Sequence, residues 1–203
     1  MNKSVLMSIQ PYYVFLIIAR IMGWNIPQHK TVEVRKDFPK DPAWNNVVHI
    51  YCSKSKKSFK RIPKQYQPLM AKLLGKVIGE FVCNKAVVYS FMNITLYPDK
   101  ENSYFVSDKN LSKTCLSMEE MENYGQGQEL YGWHISNLKI YDKPKELEEF
   151  HRICREYGSD NPNCDNCKYF IDGRSYEYDE SDCGFSGHPP LTRAPQSWCY
   201  VEE

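Results

Sequence analysis

Short apolar runs, separated by unevenly spaced helical and loop segments, restrict this chain of 203 residues to a mixed α and β architecture. A doubly wound parallel sheet needs strands and helices that alternate regularly, and this spacing does not provide them. The pattern favours an α+β fold, a small mixed β-barrel with flanking helices. In chain order, the predicted strands cover residues 4–9, 31–36, 47–52, 76–83 and 86–91, a strand pair within 130–141, and 197–201.

Helices are predicted where a proline or a capping signal precedes a suitable run. Pro11 can occupy the first turn of a helix, because the N–H that it lacks would have no partner there. Ser117 and Glu120 have the spacing of a capping box. The helices predicted in this way cover residues 12–22, 66–74, 118–125 and 145–157.

Charge and hydropathy limit the partners that the chain can have. The net charge is +1, so binding to nucleic acid requires a local basic patch. The apolar segment 12–24 is too short to span a bilayer and contains Arg20. We therefore expect no membrane partner and a cytoplasmic, reducing location, in which the eight cysteines are free thiols or metal ligands.

A strand of alternating polarity near the start of the chain carries the clearest candidate site. Val32 and Val34 point to one side of this strand, and Glu33 and Arg35 point to the other. An arginine fork can bind a phosphate or a base edge, and a carboxylate can accept from a base amino group. Lys30 could act as a base if burial lowers its pKa. A solvated ion pair is the alternative interpretation of the same side chains.

Two later strands carry further polar candidates. Gly79 interrupts an apolar strand and predicts a bulge or a close backbone approach. If Glu80 shares the face of Ile78, it is partly buried and becomes an acid or base candidate, although a structural ion pair would bury it equally well. His134 can titrate near neutral pH or bond a ligand, or it can be a satisfied structural residue.

A basic segment and a cysteine-rich segment complete the candidates. Residues 54–61, which include Phe59, could track a phosphate backbone, form a solvated loop or bind an acidic protein partner. The late cysteines include a C-x-x-C pair and could form a structural zinc site, with free thiols as the alternative. The four predicted ligands are Cys154, Cys164, Cys167 and Cys183, and His188 could replace one of them. We therefore divide the chain into a domain at 1–150 and a cysteine-rich extension at 151–203 that packs back on it.

Six segments, taken together in order and spacing, resemble the ASCH domain, a branch of the PUA-like barrels. The first three resemble the opening strand, the charged strand and a glycine-containing strand of that family, and the last three resemble its longer phage and prophage versions. The segments are MSIQP at 7–11, KTVEVRK at 30–36, GKVIGEF at 75–81, LYGWHIS at 130–136, IYDKP at 140–144 and APQSWCY at 194–200. The resemblance implies a PUA-like β-barrel with a cleft for RNA or a nucleotide.

The resemblance also implies roles for particular residues. Some members are nucleases, or amidohydrolases acting on acetylated cytidine, in which a lysine and a threonine occupy the positions matched by Lys30 and Glu33. Lys30 is retained, whereas Glu33 replaces the nucleophilic threonine. The predicted ligand-binding residues are Ser8, Glu33, Arg35, Lys36 and His134.

Three functions therefore stay open. The first is a module that binds RNA or a modified nucleotide. The second is a small hydrolase with Lys30 and Glu80 as catalytic residues. The third is a phage-borne protein that binds a host protein.

Overall fold

The chain folds into three hydrogen-bonded sheets with short helices, as seen in a computed structural model that describes residues 3–41, 44–92, 103–104, 107–152 and 190–202. The strands are β1 (Lys3–Ile9), β2 (Val32–Arg35), β3 (Trp44–Cys52), β4 (Val77–Val82), β5 (Ala86–Tyr89), β6 (Phe91–Met92), β7 (Ser103–Tyr104), β8 (Leu130–His134), β9 (Ser136–Lys145), β10 (His151–Arg152) and β11 (Trp198–Glu202). The helices are α1 (Pro11–Ile18), α2 (Lys56–Phe59), α3 (Gln67–Ala71), α4 (Asp108–Thr114) and α5 (Met118–Gly125). The predicted α+β class is confirmed.

Strand pairing is mixed. The largest sheet has the order β10-β11-β1-β3-β4-β9, in which β1 and β3 are parallel and the other pairs are antiparallel. A second, antiparallel sheet has the order β2-β8-β5, and β6 pairs with β7. Within the described residues these pairings leave open sheet edges and do not close a ring of strands. The late strand predicted at 197–201 is present as β11, beside β1.

Helix α1 forms the centre of the main core. Pro11 begins it, and five successive residues from Val14 to Ile18 are buried. They pack with side chains of β1, β3 and β4 and with Trp133 of β8. The helix is shorter than predicted, since Ile21 and Met22 are exposed and gain no burial from continuing it. The backbone N–H of Lys30 donates to the carbonyl oxygen of Leu16 at 3.1 Å, which holds the residues just before β2 against α1.

The other face of the large sheet carries a second core. Leu6, Val77, Leu147 and Phe150 are buried together there. The helix predicted at 145–157 is wrong in its described part. The chain extends β9 to Lys145, makes one 3-10 turn and enters β10, because Leu147 and Phe150 both bury against the sheet.

Two further expectations concern the ends of the molecule. Among the described helices, none combines the length and apolarity needed to cross a membrane. The predicted zinc ligands Cys154, Cys164, Cys167 and Cys183, and His188, lie outside the described residues.

Candidate functional site

The polar face of β2 points into the molecule. Glu33 lies opposite Trp133 in β8, and Arg35 lies opposite Tyr131. Trp133 is fully buried in the main core, so Glu33 and Arg35 share the face that looks toward α1 and the large sheet. The alternation predicted from the sequence is therefore present, with the charged side directed inward.

Lys30, Glu33 and Arg35 form one buried group, called the charged cluster below. Lys30 Nζ lies 3.4 Å from Glu33 Oε2, and Arg35 Nη2 lies 3.0 Å from Glu33 Oε1. The side chains of Lys30 and Glu33 are 1% and 5% exposed, and that of Arg35 is 11% exposed. The alternative interpretation from the sequence, an ion pair exposed to solvent, does not describe these residues. Charged groups at this depth are largely removed from water.

The backbone anchors both cations of the cluster. Arg35 Nη2 donates to the carbonyl oxygen of Ser8 at 2.7 Å. Lys30 Nζ donates to the carbonyl oxygen of Thr114, which ends α4. Three separate elements, β1, β2 and α4, therefore meet at the cluster and fix its side chains.

Two buried polar atoms of the cluster make no hydrogen bond to any described residue. These are Glu33 Oε2, which lies 3.4 Å from Lys30 Nζ in the ion pair, and Arg35 Nε. A buried polar group without a hydrogen bond costs roughly 1–3 kcal/mol, so such groups call for a structural or functional reason. One is an acceptor and the other a donor, so a ligand that reached both would have to offer a donor to Glu33 and an acceptor to Arg35.

Burial also changes the proton affinities of the cluster. Desolvation lowers the pKa of Lys30, and the neighbouring Glu33 carboxylate opposes this shift. Burial raises the pKa of the Cys115 thiol, which lies next to Thr114 and interacts with Lys30. Lys30 is thus easier to deprotonate than a surface lysine, which is the direction that a lysine base requires.

Two aromatic residues and an arginine border the cluster: Tyr12 and Tyr13 were not predicted as site residues, and Arg61 was predicted only as part of the basic segment at 54–61. Lys30 Nζ lies 4.9 Å from the centroid of the Tyr13 ring. Arg61 Nη1 donates to the Tyr13 hydroxyl at 3.4 Å, and its guanidinium lies 4.1 Å from the centroid of the Tyr12 ring. Arg61 also pairs with Glu120 of α5 at 3.3 Å. In the sequence, the Tyr12-Tyr13 doublet after Pro11 was the feature that could have indicated these aromatic contacts. Such a doublet is equally typical of a core helix.

The other predicted ligand-binding residues are not in the cluster. Ser8 contributes its backbone carbonyl to Arg35. Lys36 Nζ lies 5.5 Å from the ring centroid of Tyr124 in α5. His134 follows Trp133 and so faces away from the charged cluster. Burial, with Lys85 and Lys113 nearby, lowers the pKa of His134.

Glu80 lies in a separate group on the far face of the large sheet. Its Oε2 accepts from the Tyr141 hydroxyl at 2.8 Å, and the same hydroxyl lies 3.0 Å from His49 Nδ1. Sequence alternation placed Glu80 on the face of Ile78. The irregularity predicted at Gly79 is confirmed as a shift in pairing register between Val77 and Gly79, and it puts Ile78 in the main core while Glu80 faces His49. The structure therefore does not bring Glu80 to Lys30.

The predicted basic segment is exposed and lies beside the cluster. Within the described part of the chain, four exposed lysines of the segment and two that follow it, six in all, form no ion pair: Lys54, Lys56, Lys57, Lys60, Lys64 and Lys72. Ser58 Oγ accepts from the backbone N–H of Tyr12 at 3.1 Å, which attaches α2 to the start of α1. The positive charge of the segment is thus held next to the Tyr12-Tyr13 doublet.

Among residues 3–41, 44–92, 103–104, 107–152 and 190–202, no group of three or more His, Cys, Asp and Glu side chains has the geometry of a metal site. Cys52 and Cys83 are buried thiols, and Cys115 is half-buried. Burial raises the pKa of Cys52 to about 12 and that of Cys83 to about 11, so both stay protonated at neutral pH. These cysteines act as small apolar core residues.

Comparisons with known proteins give matches to solved structures only, since no family model and no curated protein matches the chain. The chain is similar to the crystal structure of ASCH from Zymomonas mobilis, with a TM-score of 0.43 and 18% identity over 73% of this chain and 77% of that one. A tyrosine-to-phenylalanine mutant of that protein matches with a TM-score of 0.42 and 17% identity over 72% and 77%. Both structures are named for the ASCH domain, which is the family that the sequence motifs resemble. The likeness is one of fold, and it transfers no site or activity to this chain.

Proposed function

We propose that this chain recognises RNA or a nucleotide, and that the charged cluster reads a nucleobase. The observation that carries the proposal is the pair of buried atoms without a hydrogen bond to any described residue, Glu33 Oε2 and Arg35 Nε. The Watson–Crick edge of every nucleobase offers a donor and an acceptor next to one another, and unstacked RNA bases are read on that edge. A base placed against β2 would donate to Glu33 Oε2 and accept from Arg35 Nε, and its ring could also stack on a neighbouring aromatic side chain, which a bridging water cannot do.

The surroundings of the cluster favour a nucleic acid over an uncharged ligand. Tyr12, Tyr13 and Arg61 offer ring and guanidinium planes of the kind on which unstacked RNA bases rest. The six exposed lysines without ion pairs in the described chain supply unneutralised positive charge beside them. Phosphate contacts of this kind give affinity without sequence preference, and the buried cluster would give the preference.

The setting that we propose is the cytoplasm of a bacterial host, for a protein encoded by a phage or prophage. It rests on the resemblance of residues 130–144 and 194–200 to phage versions of the domain. The free thiols of Cys52, Cys83 and Cys115 are compatible with a reducing compartment.

A comparison of two arginine variants tests the proposal. Affinity is measured by fluorescence anisotropy with a labelled mixed-sequence RNA octamer and by calorimetry with each of the four nucleoside monophosphates. Arg35→Gln should weaken binding by at least about tenfold, as expected for loss of a good base contact. Arg20→Gln, which removes an exposed arginine at the end of α1, is the matched control and should leave affinity unchanged.

Circular dichroism must show that both variants are folded under the binding conditions, because removal of Arg35 from a buried ion pair should itself lower stability. RNA affinity of the wild-type protein should also fall steeply with salt, because phosphate binding releases counterions. Equal affinities for wild type and Arg35→Gln would show that the cluster is not the binding site.

A second candidate function is a hydrolase acting on an acylated or phosphorylated nucleoside. One observation favours it, the lowered pKa of the buried Lys30 beside Glu33. Release of acetate or phosphate from nucleoside substrates, abolished by Lys30→Met, would support it. Turnover that depended on Glu80 instead would point to the separate Glu80–Tyr141–His49 group.

A protein ligand for the basic segment is a third candidate, favoured by its unpaired lysines. It predicts that a host protein co-purifies with the chain and that salt, rather than nuclease treatment, releases it.

A further inference from the structure

A small hollow on the basic segment is separate from the charged cluster. It has a volume of about 180 Å³ and is lined by Lys54, Ser55, Lys56, Phe59, Lys60 and Leu74. Pockets for drug-sized ligands start at roughly 300 Å³, so this hollow suits a single planar ring system. Its size therefore selects a compact ligand.

The wall of the hollow is apolar although three of its residues are lysines. The Phe59 ring and the Leu74 side chain are half-buried. Lysine stems supply the remaining apolar surface, and their ammonium groups can stay in water. The stem of Lys54 crosses Gly75 so closely that a Cβ there would lie 2.2 Å from Lys54 Cε. Gly75 also has a φ of +78°, so a glycine is needed for this arrangement.

The charge at the rim identifies the class of ligand. Lys54, Lys56 and Lys60 are exposed, and in the described chain none of them pairs with a carboxylate. An apolar slot surrounded by three ammonium groups is complementary to an aromatic ring that carries anionic groups. A nucleotide has this combination, with a base that stacks and a phosphate that pairs with lysine.

The hollow is connected to the charged cluster through α2 and Arg61. Ser58 of α2 binds the backbone of Tyr12, and Arg61 stacks on Tyr12 and bonds to Tyr13. Tyr13 in turn lies under Lys30. A chain of contacts therefore connects the buried cluster to the helix that lines the apolar hollow, with aromatic and cationic groups along it.

We propose that this hollow is a second base-binding subsite, which takes a flanking nucleotide of the single-stranded RNA whose other base meets Glu33 and Arg35. The inference rests on the proposed function and adds the substrate class: an oligonucleotide rather than a free nucleotide. Phe59 stacks on the flanking base, and the three lysines hold the adjoining phosphates.

The test compares an RNA octamer of mixed sequence with the nucleoside monophosphates on the full chain. Phe59→Leu keeps an apolar side chain but removes the ring face, so octamer affinity should fall by about tenfold while monophosphate affinity stays unchanged. Lys56→Gln should also weaken octamer binding and reduce its salt dependence. Lys72→Gln removes an exposed lysine outside the hollow and is the matched control.

The binding results distinguish failure of the second subsite from failure of the proposed function. If wild-type protein binds the octamer but Phe59→Leu binds it equally well, the subsite is wrong and the proposed function stands. If Phe59→Leu weakens octamer and monophosphate equally, the hollow is not a second subsite. If wild-type protein binds no RNA and no nucleotide, the proposed function itself fails. Binding of a polyglutamate octapeptide in place of RNA, lost in Lys56→Gln, would overturn the subsite in favour of a protein ligand.

Discussion

Glu33 balances two buried cations. It contacts Lys30 on one carboxylate oxygen and Arg35 on the other, and its side chain is only 5% exposed. A buried carboxylate in this position holds the cluster together and also leaves part of its hydrogen-bonding capacity open. Structure and ligand recognition therefore depend on the same side chain.

Replacing Glu33 by glutamine should destabilise the fold. Glu33→Gln has nearly the same shape but leaves Lys30 and Arg35 buried without a counter-charge, and the loss of one member of a buried ion pair costs about 3–5 kcal/mol. Glu120→Gln, at the half-exposed pair with Arg61, is the control and should cost less than about 1 kcal/mol. Urea unfolding measures both values, and similar losses in the two variants would contradict the account of the cluster.

The buried thiol of Cys52 makes stability depend on pH. Its pKa is raised from 9.0 to about 12, so the folded state keeps a proton that the unfolded chain releases above pH 9. A raised folded-state pKa gives stability that is complete below pH 9 and is lost as pH rises toward 12. For this one thiol, the free energy of unfolding should fall by about 1.4 kcal/mol between pH 8 and pH 10.

The variant Cys52→Ala isolates this effect. Unfolding in urea at pH 8 and pH 10 should show a smaller pH-dependent loss for Cys52→Ala than for wild type, whatever the cost of the substitution itself. Parallel pH profiles for the two proteins would show that Cys52 ionises equally well in the folded and unfolded states.

At the scale of elements, the bulge in β4 decides which polar groups can meet. Regular alternation would put Glu80 on the same face as Ile78, toward α1. The register shift between Val77 and Gly79 turns Glu80 toward His49 and Tyr141 instead. This local irregularity thus separates two acidic groups, Glu33 and Glu80, onto different sides of the large sheet.

Gly79→Ala should destabilise this arrangement. A Cβ at position 79 would lie 2.3 Å from the carbonyl oxygen of Lys139 and 3.0 Å from Ile140 Cα, so β9 must move away from β4. Overpacking of this kind typically costs about 1–3 kcal/mol. Urea unfolding of Gly79→Ala measures the loss, and unchanged stability would mean that β9 can shift freely at this position.

At the scale of the whole molecule, sequence reasoning succeeded where the signal is local. Apolar runs identified most strands, and the predicted capping box of α5 is present with both of its hydrogen bonds. Alternation also put Glu33 and Arg35 on one face of β2. None of these predictions required knowledge of which distant segments meet.

The rest of the site depends on long-range packing. Thr114 reaches Lys30 from 84 residues along the chain, and Arg61 reaches Tyr13 across 48 residues. Local spacing cannot encode such contacts, so these partners were missed. The helix predicted after residue 145 failed for a similar reason, because Leu147 and Phe150 gain more from burial on the sheet than from helix formation.

The cysteine-rich segment leads to a prediction about composition. We propose that Cys154, Cys164, Cys167 and Cys183 bind one zinc ion, which would stabilise a segment with little apolar sequence. Elemental analysis of freshly purified protein should then find about one zinc per chain. A variant with Cys164 and Cys167 both changed to serine should contain none, and wild-type protein free of zinc would end the proposal.

The most direct test of the central claim follows the Arg35 Nε–H group by NMR during titration with nucleoside monophosphates and with the RNA octamer. This donor makes no hydrogen bond to a described residue, so a base that binds against β2 should shift its ¹H–¹⁵N signal in a saturable manner. The corresponding signal of the exposed Arg20 should stay in place. Saturable binding that left the Arg35 signal unmoved would contradict the claim that this buried charged face reads a nucleobase.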